Sequence, residues 1–452
     1  MSLFAKDMRS FFVIWIGQLV SALGTSLGSF SLGVWVVEKT GSATPFAMIS
    51  VLVGVILLVV APISGALADR WDRRKIMLFS NLGSAAMTVV LASLMLAGRL
   101  EIWHVYPFIT VMVILGVLQG PALTSSISLL VPRSQLARAS GLSQISRASA
   151  GIVGPFIAGF LVSAIGYYGA IYIDCASFLF AAATLLLVRI PNPAREAGPR
   201  RRSVLGDLVQ GWAYLRERPG LLALLSMYTL TNFCMGTVQV LLTPLILSFA
   251  TPVELGSVNS AGAAGVLLGS ITLSLWGGSR NRIWTIFAIL VFQGCLLFLG
   301  GVEPSIPLIA LAVFGFMFTS PIIGGTNQAI LQSKVAPEVQ GRVFGMASFI
   351  VACTIPIASA IAGPLVDRVF QPLLSPGGGL AGTFVGSLIG VGPGRGAGLL
   401  FVVVGAVVLV IVSLAFLNPR LRRVETELPD AVPAVRPEPQ PEPPPAPGLQ
   451  NA

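Results

Sequence analysis

Apolar residues run along this chain in long blocks separated by short polar stretches. The blocks fall at about 11–37, 44–68, 76–97, 104–131, 140–166 and 168–190, then at 220–249, 254–277, 283–300, 305–331, 342–370 and 396–417. Most are long enough to cross a hydrocarbon layer about 30 Å thick, which takes about 20 helical residues. They lack the alternation of a membrane β-strand, whose segments run to about ten residues, so a β-barrel is excluded. The pattern predicts an all-α integral membrane protein with twelve transmembrane helices. The first block is too long for a signal-peptide core and is read as an uncleaved first span.

Composition agrees with this reading and narrows it. Of 452 residues, 55% are hydrophobic and only 10% charged, against about 25% charged in an ordinary soluble domain. The net charge of +10 does not point to nucleic acid, because the basic residues sit in short loops between apolar blocks. With the N-terminus inside, 23 of the 28 Lys and Arg fall on the cytoplasmic side. Only Lys39, Arg99, Arg368 and Arg395 fall outside, and Arg147 lies within a block. The bias of Lys and Arg toward cytoplasmic loops therefore predicts that both termini are cytoplasmic. Cys175, Cys234, Cys295 and Cys353 stand singly in apolar blocks and read as small core residues. His104 is the only histidine, so a His-based metal site or triad is excluded.

The chain divides into two sets of six blocks at a charged stretch beginning PNPAREAGPRRR. Predicted are an N-terminal six-helix bundle over 1–190, a cytoplasmic linker over 191–219, a C-terminal six-helix bundle over 220–417 and a disordered Pro-rich cytoplasmic tail over 418–452. The loop 371–395, rich in glycine, reads as an irregular external segment. Ile157-Ala158-Gly159-Phe160-Leu161-Val162 matches Ile361-Ala362-Gly363-Pro364-Leu365-Val366 at five of six positions. The same shift of 204 pairs Gly120 with Gly324, Val131 with Val335, Arg138 with Arg342, Gly141 with Gly345 and Gly65 with Gly269. Two repeats in one orientation predict pseudo-symmetric bundles related by an axis along the membrane normal, with a site between them at mid-depth.

After the second block comes Gly65-Ala66-Leu67-Ala68-Asp69-Arg70-Trp71-Asp72-Arg73-Arg74-Lys75. This resembles the Gly-x-Leu-Ala-Asp-Arg-x-Gly-Arg-Arg/Lys signature of the major facilitator superfamily, with Asp72 where that pattern has Gly. Within the superfamily, residues 1–420 look most like the macrolide-efflux and enterobactin-exporter branch of drug:proton antiporters. The resemblance implies a conformational latch built from Gly65, Asp69, Arg70 and Arg73. In that latch Asp69 meets the N-terminal dipole of the eleventh helix, near Gly341 and Arg342, when the cytoplasmic side closes. In span five, Gly151, Gly154, Pro155, Ala158 and Gly159 share one helical face, where small residues admit a close neighbour and Pro155 permits a bend. The string is similar to the Gly-Pro-x-x-Gly-Gly motif of antiporters. In span four, Gln119-Gly120 matches part of an Arg-x-x-Gln-Gly pattern, with Gly116 at the arginine position.

An ionisable residue at mid-membrane costs about 2.5–3.5 kcal/mol, so each one asks for a reason. Arg147 lies nine residues past Arg138 in span five, and Asp174 lies a turn or two into span six. Asp174 is the candidate carrier of the coupled proton, with Arg147 as the charge that modulates it. By resemblance the substrate cavity is lined by spans one, four, seven and ten. Their amides are Gln18, Gln119, Asn232, Gln239, Asn327 and Gln328, with Phe233, Phe314, Phe316 and Phe318 supplying apolar area nearby. Amides without a fixed acid suit a neutral or amphipathic molecule.

The expectation is thus a proton-coupled exporter of amphipathic small molecules, such as macrolides, other antibiotics or secreted metabolites. Its energy source is the proton gradient, with no cofactor and no metal. Its partners are the small-molecule substrate and the lipid bilayer, without nucleic acid, and it is expected to act as a monomer in a bacterial-type inner membrane. A siderophore or lysolipid translocator on the same fold stays open, as does a non-transporting receptor. No nucleotide-binding loop, nucleophile–base set or metal cluster supports an enzyme.

Overall fold

A computed structural model describes residues 8–68, 71–132, 135–188, 190, 204–279 and 281–427. The first half is built from α1 (Arg9–Thr40), α2 (Ala43–Ala68), α3 (Arg73–Leu96), α4 (Ile102–Leu130) and α5 (Leu136–Leu187). α5 contains two crossings. Gly166 breaks it with φ 73° and ψ 179°, a conformation that favours glycine, and the chain turns there into a second limb. A short helix, α6 (Val204–Arg216), precedes the second half. That half contains α7 (Pro219–Leu247), α8 (Pro252–Trp276), α9 (Arg282–Val302), α10 (Ile306–Lys334) and α11 (Pro337–Leu365). A π-turn (Val366–Phe370), α12 (Gln371–Leu373) and α13 (Phe384–Ile389) then lead to α14 (Arg395–Leu417). α15 (Pro419–Arg422) and α16 (Val424–Glu427) close the described chain. Eleven described helices are long and apolar enough to span a membrane. With the break at Gly166, they give the twelve crossings of an all-α membrane protein.

Each half has its own apolar interior. Ile14, Met77 and Leu185 pack together in the first half, and Leu221, Leu224, Leu241, Ile283 and Ile286 in the second. Large apolar side chains such as Phe79, Leu187, Leu275 and Leu417 are exposed instead, as a surface bathed in lipid tails allows.

Four local readings change. The stretch 191–219 is more than a linker loop, because α6 lies within it and packs on α11: a Cβ at Gly211 would stand 2.3 Å from the Arg342 carbonyl oxygen. At 13 residues the helix is too short to span a membrane, which hides it from a search for spans. The tail also begins later than 418. Glu425 accepts from the backbone N–H groups of Arg282 and Ile283, at 3.4 and 3.0 Å, placing a carboxylate on the N-terminus of α9. Residues 428–452 lie outside the described residues. The 371–395 segment is held by buried Arg395, whose Nη1 donates to the Ile389 carbonyl at 2.9 Å. Finally, α2 and α8 begin at Ala43 and Pro252, and α3 and α9 at Arg73 and Arg282, a shift of 209. α4 and α10, from Ile102 and Ile306, keep the shift of 204. Gly65 therefore corresponds to Ser274 rather than Gly269, because the first half has 29 residues between the starts of its third and fourth spans and the second half only 24. Gly269 serves a local need: a Cβ there would lie 1.9 Å from the Phe318 carbonyl oxygen of α10.

The halves meet along two seams, α5 with α8 and α2 with α11. Among the described glycines, the tight contacts between the halves lie toward the end opposite the termini, here the loop end. Pro155 presents its carbonyl oxygen 2.4 Å from where a Cβ of Gly256 would be, and Pro252 presents its own 2.5 Å from where a Cβ of Gly159 would be. Gly54 lies against Pro356, and Gly363 against Thr44 and Ala47. Toward the terminal end, Cβ atoms placed on Gly141, Gly341 and Gly345 would meet no neighbouring atom within 4 Å. Among the described residues, the close backbone contacts between the halves lie at the loop end.

Candidate functional site

A cavity of about 490 Å³ lies inside the first half, lined by α1, α2, α3, α4 and the second limb of α5. Asp174 and Gln119 both face it, together with the hydroxyls of Thr25 and Ser29 and the rings of Phe46, Phe108 and Phe178. Small residues on α1 create the fit: Gly24 lies over Ser177, and Gly28 lies over the Asp174 carboxylate, where a Cβ would stand 2.4 Å from Oδ2. Asp174 is only 4% exposed, and its Oδ1 has no hydrogen-bond partner among the described residues. Leaving a buried carboxylate oxygen unpaired is costly. This corrects the expectation of a cavity with amides and no fixed acid. The face of span six that carries Asp174 turns inward toward Gln119.

The candidate amides do not share one chamber. Gln119 Nε2 donates to Gln18 Oε1 at 2.7 Å, tying α4 to α1. Gln18 faces a separate cavity of about 160 Å³, beside Ser126, Ser143 and Ser146. Gln239 lines a cavity of about 220 Å³ in the second half with Asn259 and Phe316. Asn232 donates back to the Tyr228 carbonyl of its own helix at 2.7 Å. Asn327 is buried with its Oδ1 unpaired, and Gln328 is exposed. Phe314 and Phe318 stack on each other, ring centroids 6.1 Å apart; Phe233, whose carbonyl accepts from Thr237 Oγ1 at 3.2 Å, is outside the set that lines the second-half cavity.

Asp174 and Arg147 occupy different depths. Arg147 lies 19 residues before Gly166 and Asp174 eight after it, a separation of about 16 Å along the helix axes. The Arg147 side chain is outside the described residues. The antiporter-type string has a clear setting. Gly154 receives Ser26 of α1, while Gly151, Pro155 and Gly159 form the first-half face of the α5–α8 seam against Ala263, Gly256 and Pro252. Of the latch residues, Gly65 lies in the last turn of α2, whereas Asp69 and Arg70 lie outside the described residues. Arg73 opens α3 with its Nη1 buried and without a hydrogen-bond partner among the described residues. Asp72, the departure from the signature, caps α3 by accepting from Lys75 N–H at 3.1 Å. Arg74 donates to the Leu185 and Leu186 carbonyls at the end of α5.

One residue that sequence reasoning missed joins the two halves at the loop end. Asp367, just past α11, accepts from the backbone N–H groups of Ala43 and Thr44 at 3.1 and 2.8 Å. It also accepts from the hydroxyls of Ser42 and Thr44. A carboxylate from the second half thereby caps the N-terminus of α2 in the first. The signal was available: Asp367 directly follows the repeated Ile-Ala-Gly-x-Leu-Val string.

The sequence profile of the Major Facilitator Superfamily matches residues 14–360. Macrolide efflux protein A of Streptococcus pyogenes is 31% identical over 365 residues, covering 79% of this chain and 90% of that protein. Multidrug efflux pump Tap of Mycolicibacterium fortuitum is 24% identical over 366 residues, covering 78% and 88%. Among solved structures, a bacterial homolog to the human lysosomal transporter Spinster, crystallised inward-facing and unoccupied, superposes with a TM-score of 0.68. That match covers 93% of this chain and 98% of the other at 13% identity, and it speaks to the fold alone.

Proposed function

The chain belongs to the Major Facilitator Superfamily, and on that premise we propose that it is a proton-coupled exporter of amphipathic small molecules working by rocker-switch alternating access. The observation that carries this reading is the pair of half-bundles clasped at the loop end, with open space beside Gly141, Gly341 and Gly345 toward the other and a buried carboxylate in a cavity between mid-depth and the clasped end. Relatives named for macrolide and multidrug efflux support the direction and the substrate class. The Lys and Arg bias supports a cytoplasmic terminal end in a bacterial inner membrane, so the arrangement is the inward-open one.

The two bodies that rock are 1–190 and 220–417, coupled through 191–219 and acting as a monomer. Substrate enters from the terminal end. The α5–α8 seam of Gly151, Pro155 and Gly159, with Gly154 packed behind it on α1, then loosens at the loop end as the cytoplasmic latch of Gly65, Asp69, Arg70 and Arg73 engages the start of α11. Asp174 carries the proton inward on the return, and Gln18, Gln119, Asn232, Gln239, Asn327 and Gln328 offer hydrogen bonds to substrate at successive depths. One charge crossing about 100 mV yields about 2.3 kcal/mol, close to a fiftyfold gradient, so one proton per substrate suffices.

The reading is tested in bacterial cells stripped of their own efflux pumps and given labelled erythromycin. Expression of the protein is expected to lower steady-state accumulation, and a protonophore to restore it. Equal accumulation with and without the protein contradicts the export of macrolides, and export that survives the protonophore contradicts proton coupling.

A further inference from the structure

We propose that a groove between α6, α7 and α11 holds one acyl chain of an anionic phospholipid, whose phosphate meets Arg216 at the end of the groove nearest the termini. The partner is a lipid of the bilayer itself, and the inference stands apart from what the protein exports.

The sequence of α6 gives it two faces. Leu208, Val209, Trp212 and Arg216 fall within about 100° of one another around the helix. Gly211 and Leu215 turn toward the protein instead, Gly211 against the Arg342 carbonyl of α11 and Leu215 fully buried. An apolar stripe edged by a basic residue is the pattern of a helix lying at a membrane interface. Trp212 is 41% exposed, and its ring type gathers at headgroup level.

That stripe forms one wall of a cavity of about 790 Å³. Leu222, Ser226 and Leu230 of α7 form the second wall, and Met346 and Phe349 of α11 the third. Ser226 and Leu230 are exposed and stand about 140–180° around α7 from Gln239, which faces the second-half cavity. The groove therefore opens away from the interior of its half, onto the bilayer. Ser226 and Thr229 carry the hydroxyls of the described lining. Ser226 donates to the Leu222 carbonyl of its own helix at 2.8 Å, and Thr229 Oγ1 is buried, so the open surface is hydrocarbon. From Leu222 to Leu230 the groove runs about 12 Å along α7, most of the roughly 15 Å of hydrocarbon in one leaflet. Those dimensions suit an acyl chain lying along the helix.

The charge stands where a lipid carries its own. α6 ends at Arg216 and α7 begins at Pro219, so Arg216 lies at the terminal end of the groove, one turn beyond Trp212. It is exposed and pairs with no carboxylate among the described residues. The neighbouring Glu217 is met by Arg218 at 3.6 Å, and the Arg218 guanidinium lies over the Tyr214 ring. A guanidinium binds phosphate through paired donors, and a headgroup of net negative charge adds attraction that a zwitterionic one lacks. A chain seated there joins α6 to α7 and α11, beside the start of α11.

The test uses the full chain in phosphatidylcholine vesicles with a minor share of brominated lipid, either phosphatidylglycerol or phosphatidylcholine. Bromine on the acyl chains quenches tryptophan at close range, and the signal of Trp212 is the difference between wild type and Trp212→Phe. Brominated phosphatidylglycerol is expected to be preferred at Trp212 by about fivefold, the factor that one basic residue near the surface contributes. Arg216→Gln should bring that preference close to one. Ser226→Phe fills the groove from its exposed side and should do the same with the arginine in place. In both variants, brominated phosphatidylcholine should quench the other tryptophans as in wild type, which reports an intact fold. Equal quenching of Trp212 by the two lipids in wild type overturns the inference, as does a preference that persists in either variant. Neither result touches the exporter reading, which stands or falls on macrolide accumulation.

Discussion

Replacing Asp367 with alanine is expected to open the loop end of the protein. Its carboxylate takes four hydrogen bonds from Ser42, Ala43 and Thr44, all across the boundary between the halves. Two of the donors are backbone groups at the start of α2, where the helix dipole adds to the attraction. Hydrogen bonds to a charged group contribute about 1.5–3 kcal/mol each before couplings are considered. A net loss of only about 2 kcal/mol shifts a two-state equilibrium by about thirtyfold. Spin labels on the exposed residues Glu101 and Glu303, one on each half at the loop end, would report the shift by pulsed dipolar spectroscopy. The expected result is a longer distance in Asp367→Ala and an intermediate distribution in Asp367→Asn, which keeps the acceptor and loses the charge. A distribution identical to wild type in Asp367→Ala would mean that the clasp does not hold the loop end closed.

Enlarging Gly159 is expected to abolish transport while leaving both bundles folded. A Cβ at this position would stand 2.5 Å from the Pro252 carbonyl oxygen and 3.0 Å from the Val253 Cα. Both are backbone atoms at the start of α8, which cannot swing aside as a side-chain tip would. Overpacking of this kind costs about 1–3 kcal/mol, and the cost falls on the loop-closed state alone because the seam exists only there. Gly159→Leu should therefore slow export in proteoliposomes by about tenfold or more. Gly151→Ala is the matched control. Its nearest neighbour, the Ala263 Cβ, would be 3.7 Å from the new atom, an ordinary contact, so its rate should stay near wild type. Wild-type rates in Gly159→Leu would show that this seam need not close during transport.

The parts of the fold legible in the sequence were those governed by local pattern. Apolar blocks long enough to span a membrane mark the crossings, and Gly166 marks the turn between spans five and six because only its own backbone is involved. The small residues of span five were legible as a packing face, although not that their partner is α8. The clasp was not legible. Asp367 binds residues 323 to 325 positions away, and nothing in its neighbourhood says which helix end it will meet. Glu425 on α9 is hidden for the same reason. Asp72 is a different case: its role as the cap of α3 is local, and an aspartate just before a helix start is a readable signal. The family signature drew attention to it as a departure instead. Asp174 was found by its charge in an apolar block, but its neighbours were not, because the face of a helix that meets a cavity depends on where four other segments pack.

Substrate and protons, on the reading proposed here, exchange through one clasped pair of bundles. Everted membrane vesicles energised to make their interior acidic test this most directly, with the internal proton gradient followed optically while erythromycin is added. The expected result is a release of protons that depends on the protein, saturates with erythromycin and is lost in Asp174→Asn. A gradient that stays intact while labelled erythromycin still crosses the membrane would contradict it.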